Sequence, residues 1–212
     1  MPLPMVHLGV AHLLTETLAV RDPGSFYLGS IAPDAVHMRA GTYQPEWKLK
    51  SHLRESRQIE KHAVIGNALA FLRNHADSPE RDFFAGYGVH IITDILWNQT
   101  LLADFNRAFQ EDGGLPEERS GVYYNATDRL DFELFHRMPW RPAVWDALAG
   151  SHGADADGLV SAAETDAWKE RTLHWYDSGE SQHKAPVRYF TYDGITLFIA
   201  YAAEETGRLL GN

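Results

Sequence analysis

The chain has 212 residues, 44% of them hydrophobic and 23% charged, with a formal net charge of −10, eleven histidines and no cysteine. That length buries a sizeable core, reads as one domain over residues 1–212, and with this composition excludes a disordered or fibrous chain. The lack of cysteine excludes disulfides and thiolate metal sites, which leaves His, Asp and Glu as the strong ligands, and the acidic balance with scattered Lys and Arg argues against a general nucleic-acid binder.

In chain order, helical periodicity dominates and alternation is rare, so the expectation is an all-α, multi-helix fold. Leu8, Ala11, His12, Thr15 and Leu18 predict a first helix over about 5–20, ended by Asp22-Pro23-Gly24. The opening stretch lacks the positive region of a secretion signal and sets His7, His12 and Glu16 where an unbroken apolar run belongs, so a cytoplasmic protein is expected. Residues 21–50 read as loop-rich, with Gly24, Gly29, Pro33, Gly41 and Pro45. Helices resume over about 53–75, and Pro79 opens a long helix carrying Phe83, Tyr87, His90, Asp94, Trp97 and Leu101 at spacings of three and four. Beyond Gly113-Gly114-Leu115-Pro116 the pattern predicts helices over 121–138, 143–149, 160–176 and 193–210, with a polar loop at 179–186. The longest apolar run, about 194–203, falls well short of the roughly 20 residues that span a bilayer.

The stretch GYGVHIITDILWNQ, residues 86–99, sets His90 and Asp94 one helical turn apart in apolar surroundings. Residues four apart share a helix face, so an imidazole and a carboxylate point the same way, and Gly86 one turn earlier leaves that face uncrowded. By spacing alone this is a buried histidine satisfied by its neighbour. Three further groups change the weighing: His7 near the start of the first helix, Asp34 in a Gly/Pro-shaped loop (GSIAPDAVH) and His52 at a helix start (LKSHLRE).

These residues, in this order over about 5–100, resemble the zinc-dependent phospholipase C family, which shares its all-helical fold with zinc-dependent single-strand nucleases. The resemblance implies a metal site buried between helices. Asp34, His52, His90 and Asp94 would hold one zinc, Asp94 would bridge to a second that also takes His7, and Asp34 would double as the base for the attacking water. The family's later ligands, a further histidine after HxxxD and an HxxxE, have no counterpart here, and Met1 to Met5 precede His7 where secreted relatives present a free amino group. One or two ions are therefore expected, zinc first, with iron or manganese compatible with the same donors. The implied activity is hydrolysis of a phosphoester by metal-activated water, with Arg54 neutralising the phosphate. A non-catalytic protein of the same fold, with a structural or vestigial metal, is the second function class. An acidic chain without an evident membrane-binding helix suits small phosphoesters better than lipid surfaces or nucleic acid.

Other motifs read as scaffold. Asp128 and Asp131, with Tyr124 and Asn125 a turn earlier, are candidates for extra ligands but read first as a solvated face beside Arg129. His12 and Glu16 form another pair four residues apart, but His12 lies about 140° around the helix from His7, and the two read as a surface or packing pair. GADADGLVSAAE resembles a calcium loop through Asp155, Asp157 and Glu164, but Gly153 stands where the first carboxylate belongs, which favours a turn at Asp157-Gly158 and a capping box of Ser161 with Glu164. Trp140 and Trp145 are candidates for an apolar rim over the metal pocket, with core packing as the ordinary alternative. His37, His62, His75, His136, His152, His174 and His183 show no ligand spacing.

Overall fold

Residues 3–56, 61–181 and 188–211 are described by the structure, a computed structural model. The elements are α1 (Pro4–Leu14), α2 (Pro23–Ile31), a 3₁₀ segment (Ala32–Met38), α3 (Pro45–Ser51), α4 (Lys61–Asn74), α5 (Arg81–Gln99), α6 (Leu101–Glu111), α7 (Arg119–Arg137), α8 (Arg141–Gly150), α9 (Ala162–His174) and α10 (Tyr192–Leu210). The fold is all-α, with no strand among the described residues. No helix among them is long and apolar enough to cross a membrane.

The helix α5 is buried around almost its whole circumference from Asp82 to Trp97, as befits a central helix with neighbours on every side. Its closest neighbour is α2, and glycines set the distance between them. A Cβ on Gly29 would lie 2.0 Å from the Phe83 carbonyl oxygen, and one on Gly86 would lie 2.1 Å from that of Phe26. The two backbones thus touch, and any side chain at either position would push the helices apart. Gly86 therefore does not leave an open face on α5, as its spacing suggested; the backbone of α2 fills it.

The segment 21–50 is more ordered than expected. Its prolines start helices instead of breaking them: Pro23, Pro33 and Pro45 each lie in the first turn, where a missing N–H costs nothing. Asp22 caps α2 by accepting from the Ser25 N–H at 3.1 Å. Two predicted helices also end earlier. After α1 the chain closes on Ala19 at φ 47°, with the Val20 N–H bonded to the Thr15 carbonyl. The long helix stops at Gln99 because Thr100 leaves helical geometry at ψ −95°, and α6 starts anew at Leu101.

Candidate metal centre

Four elements bring the five sequence-predicted ligands together. α1 supplies His7, the 3₁₀ segment Asp34, the C-terminal cap of α3 His52, and α5 both His90 and Asp94. The His7 and His90 rings stack with centroids 3.8 Å apart and planes within 5°, and the His52 ring meets His90 edge-on at 5.3 Å. Asp94 divides its oxygens, Oδ1 lying 3.7 Å from His7 Nε2 and Oδ2 3.5 Å from His52 Nε2. Asp34 Oδ1 is also 3.5 Å from His52 Nε2. Two sets of converging donor atoms result, His7 with His90 and Asp94, and Asp34 with His52 and His90.

Outer contacts decide which atoms face inward. His90 Nδ1 is 2.8 Å from the Ser30 carbonyl oxygen at the end of α2, so Nδ1 carries the proton and Nε2 presents its lone pair. The glycine contact between α2 and α5 is what brings that carbonyl within reach. His52 Nδ1 pairs with Ser51 Oγ at 3.0 Å, again leaving Nε2 to the centre. Tyr87 of α5 donates to the Ser51 carbonyl at 2.6 Å and ties α3 down. α3 ends on Leu53 at φ 55°, with the Arg54 N–H bonded to the Leu49 carbonyl; this left-handed turn without glycine costs about 1 kcal/mol.

The inward atoms lack partners. Both ring nitrogens of His7, Nε2 of His52 and of His90, and Oδ1 of Asp94 are buried with no hydrogen-bond partner among the described residues. Native interiors leave only a few such groups unsatisfied, because each costs about 1–3 kcal/mol, and five of the nine among the described residues meet here. Burial holds the His7 and His52 imidazoles well below their ordinary range, with His90 adding to the effect on both, so they are neutral and their lone pairs free. Burial pushes the Asp94 carboxyl up. Asp34 goes the other way: burial alone would raise it, but the Lys48 ammonium 2.9 Å from Oδ1, together with the neighbouring imidazoles, holds it well below the usual carboxylate range.

Asp34 and Lys48 also line a cavity of about 350 Å³ with His37, with Trp168 and Arg171 of α9, and with Trp175, the C-terminal cap of that helix. Asp128 and Tyr124 of α7 border it too. Lys48, one turn before His52, and the Trp168-Arg171-Trp175 face went unnoticed in the sequence although both have helical spacing. Arg54 lies outside this lining; its Nε is buried without a partner among the described residues. Trp140 and Trp145 do not line it either. Trp140 stacks on His12 at 5.3 Å, and Trp145 packs edge-on against Phe135.

Asp128 and Asp131 are not a solvated face: both are buried, Asp128 accepting from the Ser181 hydroxyl and Asp131 from the Tyr176 hydroxyl and the Met5 N–H. In the calcium-like loop, Ser161 and Glu164 form the expected capping box, and the Glu164 carboxylate also holds Arg39 at 2.6 Å. Asp155 accepts from the Gly158 N–H, and Asp157 meets His75 Nε2 at 2.7 Å. His136 and His174 bond the Gly179 carbonyl and Asp177, while His62 and His152 are exposed. His183 and most of the predicted 179–186 loop lie outside the described residues. No protein-family model, curated protein or solved structure matches the chain.

Proposed function

We propose that this protein is a metal-dependent hydrolase of small phosphoesters, built on a helical arrangement of the zinc-dependent phospholipase C and single-strand nuclease type. The observation that carries the reading is the convergence of His7, His90 and Asp94, and of Asp34, His52 and His90, with five buried atoms on His7, His52, His90 and Asp94 that have no hydrogen-bond partner among the described residues. A divalent ion is the ordinary partner for neutral imidazoles and carboxylates so placed, and zinc, iron and manganese all accept them.

Asp34, His52 and His90 would hold one ion. His90 offers only Nε2, since Nδ1 is committed to Ser30, so His7 and Asp94 would hold a second without an equal claim on that ring. The divided oxygens of Asp94 suit a bridging carboxylate. Such an ion, if bound there, would supply Lewis-acid polarisation of a phosphoryl oxygen and a lowered pKa for bound water. Lys48 keeps Asp34 ionised, which suits it to hold an ion and makes it a weak base for water. In the adjoining cavity Lys48 offsets the charge of Asp34, so the ion itself would be the main attraction for an anionic phosphoester. A volume of about 350 Å³ lies at the small end of ligand pockets and favours compact molecules over lipid chains or polynucleotides.

The test is turnover. Zinc-reconstituted protein is expected to hydrolyse small aryl phosphomonoesters or phosphodiesters, to lose that activity on chelation, and to act more slowly on phosphatidylcholine vesicles and single-stranded DNA. A fully metal-loaded protein that hydrolyses none of these would remove the enzyme reading and leave a structural metal.

A further inference from the structure

The cavity beside the candidate centre contains a charged group that the centre does not use. The Arg171 guanidinium carbon lies 5.1 Å from the Trp168 ring centroid and 5.0 Å from that of Trp175. Trp168 and Arg171 share a face of α9, Trp175 caps the helix in helical backbone geometry one turn on, and all three line the cavity. Two indoles within cation–π distance favour this position of the guanidinium, whose N–H groups can make a planar, two-point contact with an oxyanion.

Six of the fourteen arginines of this acidic chain meet a carboxylate among the described residues. Arg39, Arg81, Arg107, Arg137, Arg188 and Arg208 each meet an Asp or Glu. Arg171 meets no carboxylate among the described residues, although it is exposed and free to reach one. The rest of the cavity is of mixed charge, with Asp34 and Asp128 beside Lys48. Lys48 stands between Asp34 and His37, 3.4 Å from the His37 ring, and burial together with Lys48 and Arg171 keeps that ring neutral. Lys48 is largely spent on Asp34, so Arg171 is the cation with capacity left over.

We propose that Arg171 is an oxyanion site separate from the metal centre, so that the ligand is a compact phosphoester whose organic part carries a second oxyanion, a carboxylate or a further phosphate. The inference rests on the phosphoester reading of the neighbouring centre. It adds that the substrate is held at two anionic points, the reacting phosphoryl group at the Asp34 end and the second anion at α9. Trp168 and Trp175 are positioning residues here, acting through the guanidinium they hold.

Calorimetric titration of the full chain with non-hydrolysable ligands tests this. The probes are propylphosphonate, 3-phosphonopropionate and propane-1,3-diphosphonate, with bound metal measured in the same samples. At least one two-anion ligand is expected to bind about tenfold more tightly than propylphosphonate, the contribution of one good charged hydrogen-bond pair, and the tighter of the two identifies the second anion. Arg171→Met is expected to abolish that advantage while leaving propylphosphonate affinity and metal content as in the parent. Arg171→Lys is expected to restore only part of it, since a point charge lacks the fork. Equal affinities in the parent, no binding of the two-anion ligands, or an advantage that survives Arg171→Met would each overturn the proposal. A metal-loaded protein without the advantage refutes the Arg171 site alone. A metal-free protein that keeps it supports that site and refutes the metal reading.

Discussion

Asp131 on α7 and Asp94 on α5 are both buried carboxylates on long helices, 1% and 4% exposed, yet the chain treats them in opposite ways. Asp131 is closed off by its own protein: the Tyr176 hydroxyl donates to one oxygen and the Met5 N–H, at 3.1 Å, to the other. Met5 is the second residue of α1, a helix whose N-cap Leu3 offers no side-chain bond, so Asp131 does the capping from a distance and fixes the turn that carries His7. Asp94 has no such closure. It faces His7 and His52 at 3.5–3.7 Å, and its Oδ1 is left without a hydrogen-bond partner among the described residues. Burial costs both groups dearly, so the one whose partners lie within the chain reads as scaffold and the other as a place for something the chain does not supply.

Removing the satisfied carboxylate should have the larger effect on folding. Asp131→Ala strands the Met5 N–H and the Tyr176 hydroxyl, and is expected to lower unfolding stability by about 4 kcal/mol in denaturant titration. A loss under about 1 kcal/mol would mean that Asp131 is not the clamp on α1. Burial also pushes the Asp131 carboxyl up to about 8. The folded protein therefore keeps this proton at pH values where the unfolded chain has already released it. The resulting stability is complete below the unfolded value near 4 and is lost as pH rises through about 8, with a slope of at most about 1.4 kcal/mol per pH unit. Asp131→Asn, which imitates the protonated acid, should flatten that part of the profile; an unchanged slope would assign it to another group.

A smaller effect is expected where scaffold and centre meet. Gly86→Ala sets a Cβ against the Phe26 carbonyl and should cost about 3 kcal/mol by parting α2 from α5. Because the Ser30 carbonyl would retreat from His90 with α2, the variant should also bind metal more weakly than the parent. Weakened folding with parental metal affinity would show that the Ser30 contact does not orient His90.

The difference between these two regions was only half legible in the sequence. That these five residues would come together was readable because the signals are local: His90 and Asp94 share a helix face, and His7, Asp34 and His52 each sit in a short apolar or turn context. The Ser161 and Glu164 capping box was readable for the same reason. What closes Asp131 is not local, since Tyr176 and Met5 lie 45 and 126 residues away, and beside Arg129 the position resembles a wet helix face. The helix α2 was hidden by its own composition. Pro23, Gly24 and Gly29 look like breakers, yet one proline starts the helix and Gly29 is the point where its backbone meets α5. The cavity face of α9 has plain helical spacing, but nothing in the sequence says that α9 borders the 3₁₀ segment carrying Asp34. Attention went to Trp140 and Trp145 because prolines flank them, and the fold uses both for packing.

The most direct test is metal per chain, measured by plasma mass spectrometry on protein purified without a histidine tag, beside a His90→Ala/Asp94→Asn variant whose helical circular dichroism matches the parent. The account predicts one or two equivalents of a divalent transition metal in the parent, or on reconstitution, and none in the variant. A parent that takes up no metal under any reconstitution, or a variant that holds as much as the parent, would contradict it and return His90 and Asp94 to a buried pair.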